Sequence, residues 1–227
     1  MEIDRVAIAL DPEPHPFEAM NLASIESNWE KEKEAKPALY DGMMMLHSEL
    51  RLEGASLVGR CHAVRYATLM WWRRKRPVAD AEHAFAHAAL VSSDNALVAI
   101  RMASHTAAAG RVYFASGSFE PPDFRDGAVD VLANMVREVG EETGLDLRTA
   151  RPGRRYALHA GAHGTAIYRC FRFDRTAVEL ASDIAAFVAT EKEPEIEGPV
   201  VIRSASDRPA GLSPHMLPFM EWHFARE

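Results

Sequence analysis

Between residues 137 and 145 the chain reads Arg137-Glu138-Val139-Gly140-Glu141-Glu142-Thr143-Gly144-Leu145. These are the side chains whose types and spacing could do chemistry. On a helix each residue advances about 100° around the axis. With Glu138 as origin, Glu142 falls about 40° to one side and Glu141 about 60° to the other. Leu132, Val136, Val139 and Thr143 gather opposite them, a stripe expected to face the core. Three carboxylates would therefore share one face within a turn. Acidic pairs at i,i+3 and i,i+4 repel. They also sit near the helix C-terminus, where the dipole disfavours negative charge. A hard divalent cation relieves both penalties, and a carboxylate cluster that leaves room for water and phosphates suits magnesium. Gly144 is placed to end the helix as a left-handed cap. A solvated acidic face on a surface helix is the plain structural alternative.

The elements that must position this helix can be read from periodicity and punctuation. Val6 to Leu10 reads as a strand, Phe17 to Lys36 as a helix stopped by Pro37. Met43 to Leu52 and Ser56 to Arg65 read as strands parted by Glu53-Gly54, and Tyr66 to Arg76 as a helix. That helix ends in Trp71-Trp72-Arg73-Arg74-Lys75-Arg76. A helix end anchored by its tryptophans, with bases opposing the dipole, is the first reading; a substrate rim or polyanion contact is the second. Strands are expected at His87 to Ser92, Ala96 to Ala103 and Arg111 to Ser116, followed by a Gly/Pro-bearing loop from Ser116 to Gly127. A helix from Ala128 to Thr143 comes next, then strands at Tyr156 to Gly161 and Thr165 to Phe173 with a turn through Gly161-Ala162-His163-Gly164. A helix from Thr176 to Thr190, a strand from Pro199 to Ile202 and a helix from Pro214 to Phe224 close the chain. The order predicts an α/β fold: a mixed sheet sandwiched by helices, with residues 1–80 as an N-terminal α+β elaboration packed on a domain of residues 81–227.

Bulk properties narrow the partners. The chain has 227 residues, 48% of them hydrophobic, enough to bury a large core. Its net charge of −7 argues against a nucleic-acid binder, which needs a basic surface. No apolar run reaches the roughly 20 residues of a membrane span, and the first residues lack a secretory signal. Two cysteines far apart make neither a disulfide framework nor a Cys-based zinc site. A cytoplasmic protein with reduced thiols is the expectation.

The 137–145 string resembles the second half of the Nudix (MutT-like) box, G-x5-E-x7-R-E-U-x-E-E-x-G-U with U aliphatic, and matches every specified position of that half. The resemblance implies a Nudix-type α/β/α sandwich with a mixed sheet. It implies a hydrolase of phosphorus-containing anhydrides that uses Glu138, Glu141 and Glu142 as magnesium ligands, with manganese as an alternative ion. Arg137 would brace the loop through an acidic partner. The first half departs from the pattern: counting back, the family glycine falls on Asp123 and the family glutamate on Val129. Gly117 is the glycine equivalent considered instead, with Glu120 beside it at the substrate. Asp130, Glu120 and Asp126 are the candidate acids for Arg137.

The Ser-Phe-Glu-Pro-Pro-Asp loop and the strand-bearing N-terminal extension are similar to the Nudix subgroup that includes UDP-sugar hydrolases of animals. A small-molecule nucleotide is thus the expected partner: a UDP-sugar first, ADP-ribose or a dinucleotide next. Dimers being common in the family, a homodimer is among the expected assemblies. The different-class alternative is a Nudix-fold protein that binds a nucleotide without cleaving it. A general base would come from outside the box helix, and the acidic run from Glu191 to Glu197 is where it is sought. His83 with His87, and His159 with His163, read as ordinary polar or core histidines without a third zinc ligand.

Overall fold

A computed structural model describes residues 1–161 and 164–226. The N-terminal segment forms β1 (Glu2–Ile3), β2 (Arg5–Asp11), α1 (Pro16–Ala35), β3 (Met43–Glu53), β4 (Ser56–Arg65) and α2 (Tyr66–Lys75). It continues into β5 (Ala84–Val91), β6 (Leu97–Met102), β7 (Val112–Tyr113) and β8 (Ser116–Ser118). Two short strands, β9 (Phe124–Arg125) and β10 (Ala128–Val129), precede α3 (Val131–Thr143). The rest is β11 (Arg151–Pro152), β12 (Tyr156–Gly161), β13 (Gly164–Arg172), α4 (Ala177–Val188), β14 (Ile196–Ile202) and α5 (Met216–Phe224).

The larger sheet runs β1-β12-β13-β5-β6-β14 and is mixed, β13 and β5 pairing in parallel while its other pairs are antiparallel. Its strands alternate between two layers, as period-two side chains must. Ala86, Ala88 and Leu90 of β5 face a core shared with Val131, Met135 and Val139 of α3 and Leu180 and Ile184 of α4. Ala89 and Val91 face the opposite core, closed by Met216, Phe219 and Met220 of α5. The result is helix, sheet, helix, the layering expected from the sequence. Among the described residues no helix is long and apolar enough to cross a membrane.

The N-terminal segment builds a second sheet, β3-β4-β2-β10-β9, whose last two strands come from the loop before α3. Gly54, at φ 58°, makes the turn between β3 and β4 that an L side chain would resist. Ile8, Met45, Leu57 and Cys61 join the same core as α3 and β5, so the two sheets enclose one continuous apolar interior.

Three differences from the expected elements matter. The helix expected from Ala128 starts at Val131, because Asp130 caps it by accepting from Ala133 N at 2.9 Å while Ala128 and Val129 pair as a strand. The strand expected at Arg111 to Ser116 is broken into β7 on β6 and β8 on β5. The last strand begins at Ile196, inside the acidic run. Of the paired histidines, His83 and His87 are buried near or within β5; Gly161 and Gly164 of the expected turn pair across β12 and β13, and Ala162 and His163 lie outside the described residues.

Candidate active site

Helix α3 lies against β5 and β8, and its inward face differs from the stripe read off the sequence. Val131, Met135, Val139 and Thr143 are buried, but so are Glu138 and Glu142, while Leu132 is 41% exposed. The period is as expected; the orientation is turned, because the carboxylates point toward β8, against Ser116 and Gly117. Gly144 ends the helix at φ 69°, as its type required.

Glu142 is held by the first amide of β8: Ser116 N donates to its Oε2 at 2.9 Å. Gly117 follows, and its lack of a side chain is what admits Glu138; a Cβ there would stand 1.8 Å from Glu138 Oε1. Burial pushes the Glu138 carboxyl up to about 7, with Glu141, Glu120 and Asp123 adding to the shift against Arg137. Burial, then the Glu138 charge, pushes Glu142 well above the ordinary carboxylate range, and the Ser116 amide only partly offsets it. Two inward carboxylates thus repel each other in a poorly solvated place.

Arg137 finds its acid in Asp123, a residue the spacing had assigned to a glycine. Asp123 is 2% exposed and pairs with Arg137 Nη2 at 3.1 Å. Its Oδ2 also accepts from Asn134 Nδ2 and from Glu120 N, each at 2.9 Å. The candidates named from sequence do other work. Asp130 caps α3 and pairs with Arg125 at 3.1 Å. Asp126 sits in a turn at φ 51°. Glu120 opens the short turn Pro121–Asp123, and burial raises its pKa. The two prolines that stiffen that turn were the available signal for Asp123. Arg137 also reaches Glu138 at 2.8 Å and Glu141 at 3.0 Å.

Glu141 is therefore drawn outward, its side chain 60% exposed, and the three glutamates do not converge. Among the described residues no three His, Cys, Asp or Glu side chains form a ready ligand set. The two that do lie inward are buried carboxylates of the kind that suits a hard cation, Glu138 already sharing the charge of Arg137. Of the acidic run, Glu195 enters this environment: its charge contributes to raising Glu142, Glu120 and Tyr113, and its backbone oxygen accepts from Ala103 N at 2.9 Å. Glu197 instead lies 3.9 Å from Arg101.

Beside Ser116 and Gly117 opens a cleft of about 460 Å³, walled by Arg73, Arg76, Arg111, Phe85, Tyr113 and His87. The basic run at the end of α2 is thereby divided. Trp72 is buried and donates to Ala81 O at 2.8 Å, and Arg74 turns away to Glu32 at 2.9 Å. Arg73 and Arg76 line the cleft, so the anchored-helix-end reading describes Trp72 and Arg74 while these two arginines face a cavity.

The fold is similar to that of Nudix proteins. A MutT protein from Methanosarcina mazei Go1 is 14% identical, with 62% of this chain and 91% of that one covered at a TM-score of 0.41. A MutT NUDIX hydrolase from Burkholderia pseudomallei is 16% identical, covering 63% and 95% at 0.37. The NUDIX domain of Shewanella oneidensis NrtR, solved with ADP ribose, is 8% identical, covering 53% and 72% at 0.34. Likenesses this distant assign no activity, substrate or partner. No protein-family model matches the chain, and no curated protein does.

Proposed function

We propose that this chain is a magnesium-dependent pyrophosphohydrolase of the Nudix kind, cleaving the diphosphate linkage of a nucleoside diphosphate joined to another moiety. One observation carries the reading: Glu138 and Glu142 are buried together against Ser116 and Gly117, which line one edge of an arginine-bearing cleft. Burying two like charges is costly unless something else occupies the site with them. Glu138 and Glu142 would hold the ion, joined by Glu141 when its exposed side chain leaves Arg137. Bound there, magnesium or manganese would polarise phosphoryl oxygens, lower the pKa of an attacking water and neutralise the leaving phosphate.

The chain's own residues do the rest. Gly117 keeps the strand backbone close enough for a phosphate to approach the carboxylates. The Ser116 amide fixes Glu142, and the Asp123–Arg137 pair fixes the loop over Glu138. Glu195, exposed and with its charge felt at Glu142, would be the group that takes a proton from water. UDP-sugars head the substrate panel, with ADP-ribose and dinucleotides after them. Cys61 and Cys170 are free thiols, in keeping with a reducing cytoplasm.

The second reading, a nucleotide-binding protein that does not cleave, has the outward Glu141 in its favour. Turnover separates the two. Glu142→Gln keeps an acceptor for the Ser116 amide and removes a buried charge, so it is expected to fold normally and lose activity by orders of magnitude. Phosphate release from the panel, with magnesium present or chelated, is the assay. Near-normal rates in Glu142→Gln would overturn the ligand assignment, and binding without any release would establish the second reading.

A further inference from the structure

Three arginines from two separate segments meet at the cleft: Arg73 and Arg76 at the end of α2, and Arg111 before β7. In a chain of net charge −7 such cations are normally matched. Arg74, next in line on the same helix, pairs with Glu32, and Arg65, Arg101 and Arg137 each have a carboxylate within 4 Å. Among the described residues, none of the three cleft arginines makes an ion pair, and no carboxylate lines the cleft. Arg76 instead lies over the Trp72 ring at 5.3 Å.

Three like charges gathered without partners repel one another, and they concentrate anions in the space between them. Planar guanidinium groups bind carboxylate and phosphate two oxygens at a time. The cleft has the size of a small-molecule site, and Phe85 and Tyr113 give it an apolar side. The carboxylate pair lies behind Ser116 and Gly117, at one edge of the cleft rather than among the arginines.

We propose that the cleft recognises a second anionic group, a carboxylate or a phosphate, carried by the substrate away from the diphosphate that is cut. Arg73, Arg76 and Arg111 are its determinants. The inference rests on the function proposed above and narrows its substrate class to nucleoside diphosphate compounds with an extra negative charge. The rival is that the arginines grip the diphosphate itself.

Two substrate pairs separate these. UDP-glucuronate differs from UDP-glucose by one carboxylate, and NADPH from NADH by one phosphate. We expect the anionic member of at least one pair to be favoured about tenfold or more in KM, the factor a charge-assisted contact supplies. That preference should fall toward one in Arg73→Ala and Arg111→Ala and be partly kept in Arg73→Lys, with melting curves checking the fold. The pair that responds tells carboxylate from phosphate. Binding of the same pairs to Glu142→Gln, by calorimetry, gives the ratio without turnover. Hydrolysis with no preference within either pair, or a ratio that the alanine variants leave unchanged, overturns the inference while the hydrolase stands. Preferential binding without hydrolysis by the unmodified chain overturns the hydrolase and keeps the inference. No binding and no hydrolysis of any member overturns both.

Discussion

Gly117→Ala tests the link between strand geometry and carboxylate placement. The new methyl would lie 1.8 Å from Glu138 Oε1, 2.2 Å from Cδ and 2.7 Å from Oε2. Ordinary contact begins near 3.4 Å, so the carboxylate must retreat by at least 1.6 Å (3.4 − 1.8). It can, because it ends a side chain with three rotatable bonds, whereas a backbone neighbour could not. The stability change is therefore small. An off-rotamer glutamate costs about 0.5–1.5 kcal/mol, while replacing glycine at a compatible φ gains about 0.4–1 kcal/mol through the unfolded chain. Misplacing a group in the reacting geometry by about 1 Å costs on the order of 10²-fold in rate. We expect kcat to fall by about that factor, with the melting temperature moving by only a few degrees. Steady-state hydrolysis with a magnesium titration, beside thermal melts, reads both. A variant that keeps kcat and magnesium affinity within about twofold of the parent would refute the reasoning, since a displacement this large cannot be silent at a true ligand.

The other predictions are brief. Asp123→Ala leaves Arg137 beside a buried hole and should destabilise the chain by about 3–5 kcal/mol in urea; a loss below about 1 kcal/mol would mean the pair is incidental. Glu138, at about 7 in the folded chain, holds a proton that the unfolded chain releases near 4.5. Without metal, its contribution to stability is complete below pH 4.5 and is lost as pH rises through 7. Magnesium must displace that proton, so its apparent affinity should be about tenfold weaker at pH 6 than at pH 8. Titration calorimetry giving the same affinity at both values would remove Glu138 from the site.

Much of this site was legible in the sequence because its main parts are local. The carboxylate spacing, the Gly144 cap and the arginine before Glu138 all lie within nine consecutive residues. What periodicity could not supply was which side of α3 faces inward. Leu132 lies about 120° from Glu138 around the helix, on the side read as core-facing, yet the packing of α3 against β5 and β8 buries the acid and leaves the leucine exposed. Asp123 was hidden for a different reason: a fixed spacing presumes a loop without insertions, and this loop folds into a turn and two strands of its own. The division of the Arg73 to Arg76 run depends on helix rotation against α1, a tertiary contact no local pattern records.

The strands β9 and β10 join the loop of Asp123 to the N-terminal sheet. Leu10 N donates to Gly127 O at 2.8 Å, and Met45 N donates to Phe119 O at 2.9 Å. The segment that braces Arg137 is thus woven into residues more than seventy positions earlier. Cutting the chain near residue 80 would not release a minimal catalyst; it would strip two strand neighbours from the brace and two arginines from the cleft. Any transplant of this site onto another scaffold has to carry the N-terminal sheet with it.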